Sequence, residues 1–377
     1  MSSILPGDAF WVAVSSSGTY YPSYTFTGNS SEATFGTPGT PGTLRIASDD
    51  ANINDARTIE VDATDDTDDV DVLSFTLEAE GDSDLEIRNF AVSVTVVGGG
   101  SNTDGILSGL TLWIDGEEVA SADTVSTGGL TEDYLFDDVD TVVPAGETVD
   151  AVIKADFLSI ADALNEGDTI AFSISEDITD QTTRIQVDDE SGETLADGDI
   201  TGSVTSGAFE LRSVGIMVTF ISASETLETN DTAGNYDAGT FVIKFNVEAF
   251  GGTVYVDDGA TPTVVATIPD STLTAAGIRY LLDQGGTATI DDVSDLVTFS
   301  TAGGATDSGV TNGIELSEDE DTDLTLTVNR VNNNSDVDDG LFRVLLKAVT
   351  WATTDASTQN VYDFNLEDFK TDPISIN

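Results

Sequence analysis

From Asp71 to Phe90 the chain keeps one period. Leu73, Phe75, Leu77 and Ala79 alternate with Ser74, Thr76, Glu78 and Glu80. Successive side chains on a strand point to opposite faces, so this run makes a ribbon with one apolar and one wetted face. Gly81–Asp82–Ser83–Asp84 supply a turn, and Leu85, Ile87 and Asn89 continue beyond it, which predicts a hairpin. The design recurs between Tyr236 and Gly259. Phe241, Ile243, Phe245 and Val247 alternate, Gly251–Gly252 turn, and Val254 and Val256 return. One hairpin-centred unit is written twice, and the rest of the chain aligns outward from it.

Residues 1–42 read as an arm with a linker. Phe10, Val12 and Val14 alternate in a strand-length run, and Gly36–Gly42 (GTPGTPG) cannot sit inside a sheet. Residues 43–212 form the first repeat. TLRIAS opens it, Asp115–Gly116 predicts a hairpin turn, and Val149, Ala151, Ile153 and Ala155 alternate after a Pro-Ala-Gly turn. SIADALNEGD predicts one helical turn. Residues 213–377 form the second repeat, with GIMVTFIS in the place of TLRIAS and Lys347 in the place of Lys154. Short strands separated by turn signals predict an all-β chain: two tandem Ig-like β-sandwiches behind an extended N-terminal arm.

Charge decides which partners are excluded. Twelve Lys and Arg face 70 Asp and Glu, a formal net charge of −58. Nucleic acid and anionic membrane surfaces would be repelled. No apolar run approaches the length that spans a bilayer, so membrane insertion is not expected. The opening MSSILPGDAFWVAVSSSG lacks a basic start and a long apolar stretch, so it does not read as a signal peptide. Self-repulsion on this scale calls for bound divalent cations, a salt-rich medium, or both.

The chain has no Cys and no His. Thiolate sites, disulfides and the commonest general base are therefore absent. GDSDL at Gly81–Leu85 carries a serine at a turn with no histidine to activate it. Asp307–Ser308–Gly309 occurs once, whereas aspartic-protease chemistry needs two coupled carboxylates. The strongest chemical signal is acidic. Asp65, Asp66, Asp68 and Asp69 crowd one connection, with Asp62 and Asp71 beside them. Asp319 and Asp321 crowd a second, with Glu318 and Glu320. Asn334, Asp336, Asp338 and Asp339 precede Gly340 in a third. Ca²⁺ takes six to eight oxygen ligands, and these loops offer them at short spacing. A solvated acidic surface accounts for the same residues. Trp113 and Trp351 lie in strands and are expected in the cores.

GTLRIASDD, VLSFTLEAEGDSDLEIRNF, VVPAGETVDAVIKADF and AGTFVIKFNVEAFGGTVYV resemble the tandem Ig-like domains of prokaryotic cell-surface proteins, including surface-layer and surface-filament subunits. The resemblance covers residues 43–377. It implies a secreted, extracellular structural protein, often calcium-loaded.

Together these readings predict a non-enzymatic subunit that polymerises with itself at the cell surface. Phe10, Val12 and Val14 are expected to contact the neighbouring subunit as a donated strand, with Ca²⁺ stabilising the fold. The alternative is an adhesin or carbohydrate-binding module whose tryptophans stack on cell-surface glycans.

Overall fold

The computed structural model describes residues 42–49, 52–123, 129–174, 184–196, 198–229, 237–257, 263–264, 277–289, 293–300, 305–307, 313–331, 340–355, 360–364 and 366–376. Phe10, Val12, Val14, Asn334, Asp336, Asp338 and Asp339 lie outside the described residues. The described chain is all-β, relieved only by single 3-10 turns at Asn52–Asn54 and Thr103–Gly105. Its buried apolar side chains fall into two clusters, one from Leu44 to Leu211 and one from Ile216 to Ile376.

The alternating stretch forms two 14-residue strands, Thr67–Glu80 and Leu85–Gly98. They do not pair with each other, which corrects the expected hairpin. Thr67–Glu80 lies between Thr43–Ser48 (Ile46 opposite Leu77) and Thr148–Phe157 (Phe75 opposite Ala151). Leu85–Gly98 pairs with Asp168–Ile174 and Thr131–Phe136, farther along the same 14-stranded sheet, which continues between the two layers through Glu117–Asp123. The two apolar faces therefore meet across the core, where Phe75 and Phe90 stack with ring centroids 5.5 Å apart and planes 7° apart. Gly81–Asp84 covers about 13 Å when extended, enough to cross the roughly 10 Å between packed sheets. Two bonds hold the crossing: Ala145 N–H donates to Asp84 Oδ1 (2.8 Å), and Glu190 N–H donates to Ser83 Oγ (3.1 Å).

The chain crosses between layers again after Phe250, here between two separate sheets. Ala238–Phe250 lies between Gly215–Glu228 and Asp321–Val331. Val254–Val256 belongs to another sheet, between Ile314–Leu316 and Gly340–Ala352. Gly251 has φ 68°, and a Cβ there would stand 1.7 Å from the Ser213 carbonyl oxygen, so only glycine fits.

The Asp115–Gly116 hairpin does form. Both residues have positive φ (51° and 79°), and Ile114 pairs with Glu117, the mirror-image turn that matches strand twist. Val149, Ala151, Ile153 and Ala155 are all buried on Thr148–Phe157. The helical turn expected in SIADALNEGD is absent. The Ser159 carbonyl instead accepts from Asp162 N–H and Leu164 N–H in an irregular turn. The correspondence of Lys154 with Lys347 also fails. Lys154 lies on a strand beside Thr67–Glu80, whereas Lys347 lies on Gly340–Ala352, outside the sheet that holds Ala238–Phe250.

Only Ser213 and Val214 separate the strand Phe209–Arg212 from Gly215–Glu228. The Arg212 guanidinium lies 5.2 Å from the ring centroid of Trp351, and Ser213 N–H donates to the Glu166 carboxylate at 3.2 Å. The two apolar clusters thus meet at a short, side-chain-clamped connection.

Candidate functional site

The first acidic connection is built from its own carboxylates. Asp62 Oδ1 accepts from Thr64 N–H (2.8 Å), Thr64 Oγ1 (3.1 Å) and Asp65 N–H (3.0 Å). Those bonds hold its pKa below the usual carboxylate value. Asp66 Oδ1 accepts from Ser159 N–H at 3.3 Å. Asp69 takes a left-handed φ of 62°, and its N–H donates to Asp156 Oδ1 at 2.8 Å. Asp71 Oδ1 stands 3.3 Å from Lys154 Nζ. Asp65 and Asp68 are exposed.

The second connection has the same character. Asp319 also takes φ 62°, Glu320 Oε2 accepts from Ser317 N–H (2.9 Å), and Asp321 Oδ2 accepts from Asn246 Nδ2 (2.6 Å). The fold brings the two connections together. Burial pushes the Glu60 carboxyl upward in pKa, and the nearby charges of Asp319, Glu318, Asp62 and Glu248 push it the same way. Among the described residues, however, no group of three carboxylates converges on a point that could hold one ion. The described part is an acidic face spread across the junction of the repeats.

The fold gives other singled-out residues structural work. Ser83, nine-tenths buried, donates to the Asp84 carbonyl and accepts from Glu190 N–H. Trp351 is core, 2% exposed. Trp113, expected in the core, is half-buried on the outer face. Leu110, Leu112 and Ile114 point inward from the same strand, and alternation turns Thr111 and Trp113 outward. Its indole N–H donates to Thr111 Oγ1, and Lys154 Nζ lies 4.6 Å from its ring centroid.

Sequence reasoning missed two features. Asp168 is fully buried and ties down a glycine loop. Its Oδ1 accepts from Gly100 N–H (2.7 Å) and its Oδ2 from Asn165 N–H (3.1 Å). Burial alone would raise its pKa, but the bonds from Ser101, Gly100 and Asn165 outweigh that and lower it. The second is an open sheet edge. Among the described residues, Gly215–Glu228 pairs on one side only, with Ala238–Phe250. Phe220, Ile221 and Leu227 on it remain exposed. A run of small apolar and polar residues does not announce an edge, because edge and centre differ in partners rather than in pattern.

No protein-family model matches the chain, and no curated protein does. Among solved structures, the chain is similar to the C-terminal domain of the Streptococcus pyogenes antigen I/II-family protein AspA, at 10% identity and TM-score 0.21, covering 88% of this chain and 98% of that one. It is also similar to the C-terminal domain of the Streptococcus agalactiae AgI/II polypeptide BspA, at 8% identity and TM-score 0.21, covering 89% and 99%. A third is the CupB6 tip adhesin from Pseudomonas aeruginosa, at 11% identity and TM-score 0.19, covering 89% and 99%. Likeness at these TM-scores carries no argument about function. Among the described residues no helix is long and apolar enough to cross a membrane.

Proposed function

We propose that the chain is an extracellular, non-catalytic structural subunit of two Ig-like sandwiches that assembles with copies of itself into a surface filament or layer. Assembly runs through its N-terminal strand, Phe10, Val12 and Val14, donated to a neighbour. The observation that carries this reading is the clamped junction. Two separately cored β units are joined through Ser213 and Val214, with Arg212 lying over Trp351. A stiff pair of units suits repeated packing, because each copy presents its contact surfaces at a fixed spacing. Calcium belongs to the same reading. The carboxylates of the junction, together with Asp65, Asp66, Asp68, Asp69, Asp319 and Asp321, repel one another until cations gather on them. The test is electron microscopy of the full chain and of a chain lacking residues 1–42, each with and without Ca²⁺. Polymers from the full chain alone support the reading, and equal assembly by the truncated chain overturns strand donation.

A second reading, a carbohydrate-binding surface module, draws on Trp113, which stands half-exposed on an outer sheet face. Glycan binding lost in Trp113→Ala, without any self-assembly, favours it over the first.

A further inference from the structure

The strand Gly215–Glu228 is divided by a bulge. Phe220 pairs with Phe245 and Ser222 with Lys244, which leaves Ile221 as the extra residue. The two halves differ in what covers them. Before the bulge, Ile216 and Val218 are buried, the Tyr362 hydroxyl bonds the Val218 backbone, and the Phe369 ring stands edge-on to Phe220 at 5.3 Å. After it, Ser222–Glu228 pairs with Ala238–Lys244 on one flank, and among the described residues nothing pairs with the other flank.

The open half carries two apolar residues and one carboxylate on its inner side. Ala223, Glu225 and Leu227 share the face of Phe241 and Ile243, and Leu227 stands opposite Gly239. Ile374 and Ile376 of the facing sheet reach that glycine; a Cβ on it would lie 3.0 Å and 2.6 Å from their tips. Natural sheet edges are blunted by lysine, proline, brevity, bulges or inward-pointing charge, and here the Ile221 bulge and Glu225 supply the last two without covering the strand. Ser222–Glu228 has no lysine and no proline.

We propose that Ser222–Glu228 is the acceptor edge, and that its occupant is Ala9–Val14 of a second copy of this chain. This rests on the assembly reading and assigns its receiving surface. Three observations select the occupant. Charge is the first: a strand laid against Glu225 and Glu228 on a protein of net charge −58 cannot itself be acidic, and Ala9–Ser31 carries no charged residue. Length is the second: Ala9–Val14 fits beside the seven residues Ser222–Glu228, pointing Phe10, Val12 and Val14 toward Ala223, Leu227 and Ile374. Reach is the third: residues 15–42 span up to about 90 Å when extended, enough to place the run on a neighbour.

The chain lacks cysteine, so disulfide trapping is free of background. In the proposed pairing Ala13 lies on the wetted side with Ser222, Ser224 and Thr226. An A13C chain is mixed with an S222C, S224C or T226C chain and oxidised. Covalent heterodimers, mapped by mass spectrometry, are expected. T298C, on the edge strand Val293–Phe299 at the other side of the same sheet, is the control. Trapping of A13C to T298C alone overturns the acceptor. So does a bond formed only within single A13C/S224C chains at high dilution. Polymers seen by microscopy without trapping at 222–226 overturn the acceptor and leave the assembly reading standing. Neither polymer nor trapping overturns both. Leu227→Lys places a charge on the inner side of the open half, at a residue that is 38% exposed. It is expected to raise the concentration needed for assembly about tenfold or more at temperatures well below its own melting temperature, where the chain remains folded. Unchanged assembly by that variant counts against the proposal.

Discussion

Arg212 closes the strand Phe209–Arg212 with its guanidinium over Trp351, a residue buried in the other apolar cluster. The same guanidinium pairs with Glu210 at 2.5 Å, and both side chains are 14% exposed. A desolvated cation–π contact contributes about 1–2 kcal/mol. Arg212→Ala is expected to cost more than that, because it also leaves the Glu210 carboxylate unpaired, and to uncouple the two units, so that calorimetry resolves two transitions in place of one. Arg212→Lys keeps the charge but loses the planar stack, and should fall between. A single unshifted transition in both variants would mean that the repeats are not coupled there.

Glu60 gives a pH dependence of defined sign. Its folded pKa is raised, by burial first and by its acidic neighbours next, so the folded state holds the proton more tightly than the unfolded state. Stability from this group appears as pH falls through the folded pKa. It is complete below the ordinary value of 4.5. Glu60→Gln should therefore stabilise the chain at pH 7, by a few tenths of a kcal/mol for so exposed a group, with the gain shrinking in salt. Urea titrations at two pH values and two salt concentrations measure it.

Asp168 has the opposite sign. Its folded pKa is lowered, so its contribution is present above the ordinary value of 3.8 and is lost as pH falls through the folded pKa. Asp168→Ala leaves Gly100 N–H and Asn165 N–H without their acceptor and should cost about 2–3 kcal/mol. Adding a side chain at Gly99 should damage the same loop. That residue has φ +107°, and a Cβ there would stand 1.9 Å from Asp168 Oδ1. Stability curves of the two variants down to acid pH test both statements.

Cations should stabilise the native state by mass action on its clustered carboxylates. With monovalent salt held low and fixed, a chelator is expected to lower the melting temperature and Ca²⁺ to restore it. An unmoved melting temperature removes calcium from the reading. Full restoration by concentrated monovalent salt alone assigns the effect to screening.

Alternation showed plainly which faces are apolar, and Asp115–Gly116 announced its turn because two positive φ angles demand such residues. What an apolar face meets was not legible. Leu73–Ala79 reads the same whether it packs beside Leu85–Ile87 or across a core from it, and the structure chose the second. The acidic loops were legible as charge, but their partners were not. Asp69 meets Asp156 and Asp66 meets Ser159, contacts 87 and 93 residues apart in sequence. Trp113 was legible and misread: Leu112 and Ile114 point inward, which already turns the residue between them outward.

Thr43–Ser48 carries ladders on both flanks, antiparallel to Thr67–Glu80 over Thr43–Ser48 and parallel to Ile200–Gly202 over Leu44–Ile46. Anything that holds the chain upstream of Gly42 pulls on this strand. Tension entering there loads two ladders in place of one. The first strand thus ties the segment before it both to the middle of the first unit and to the part of the sequence just ahead of the junction.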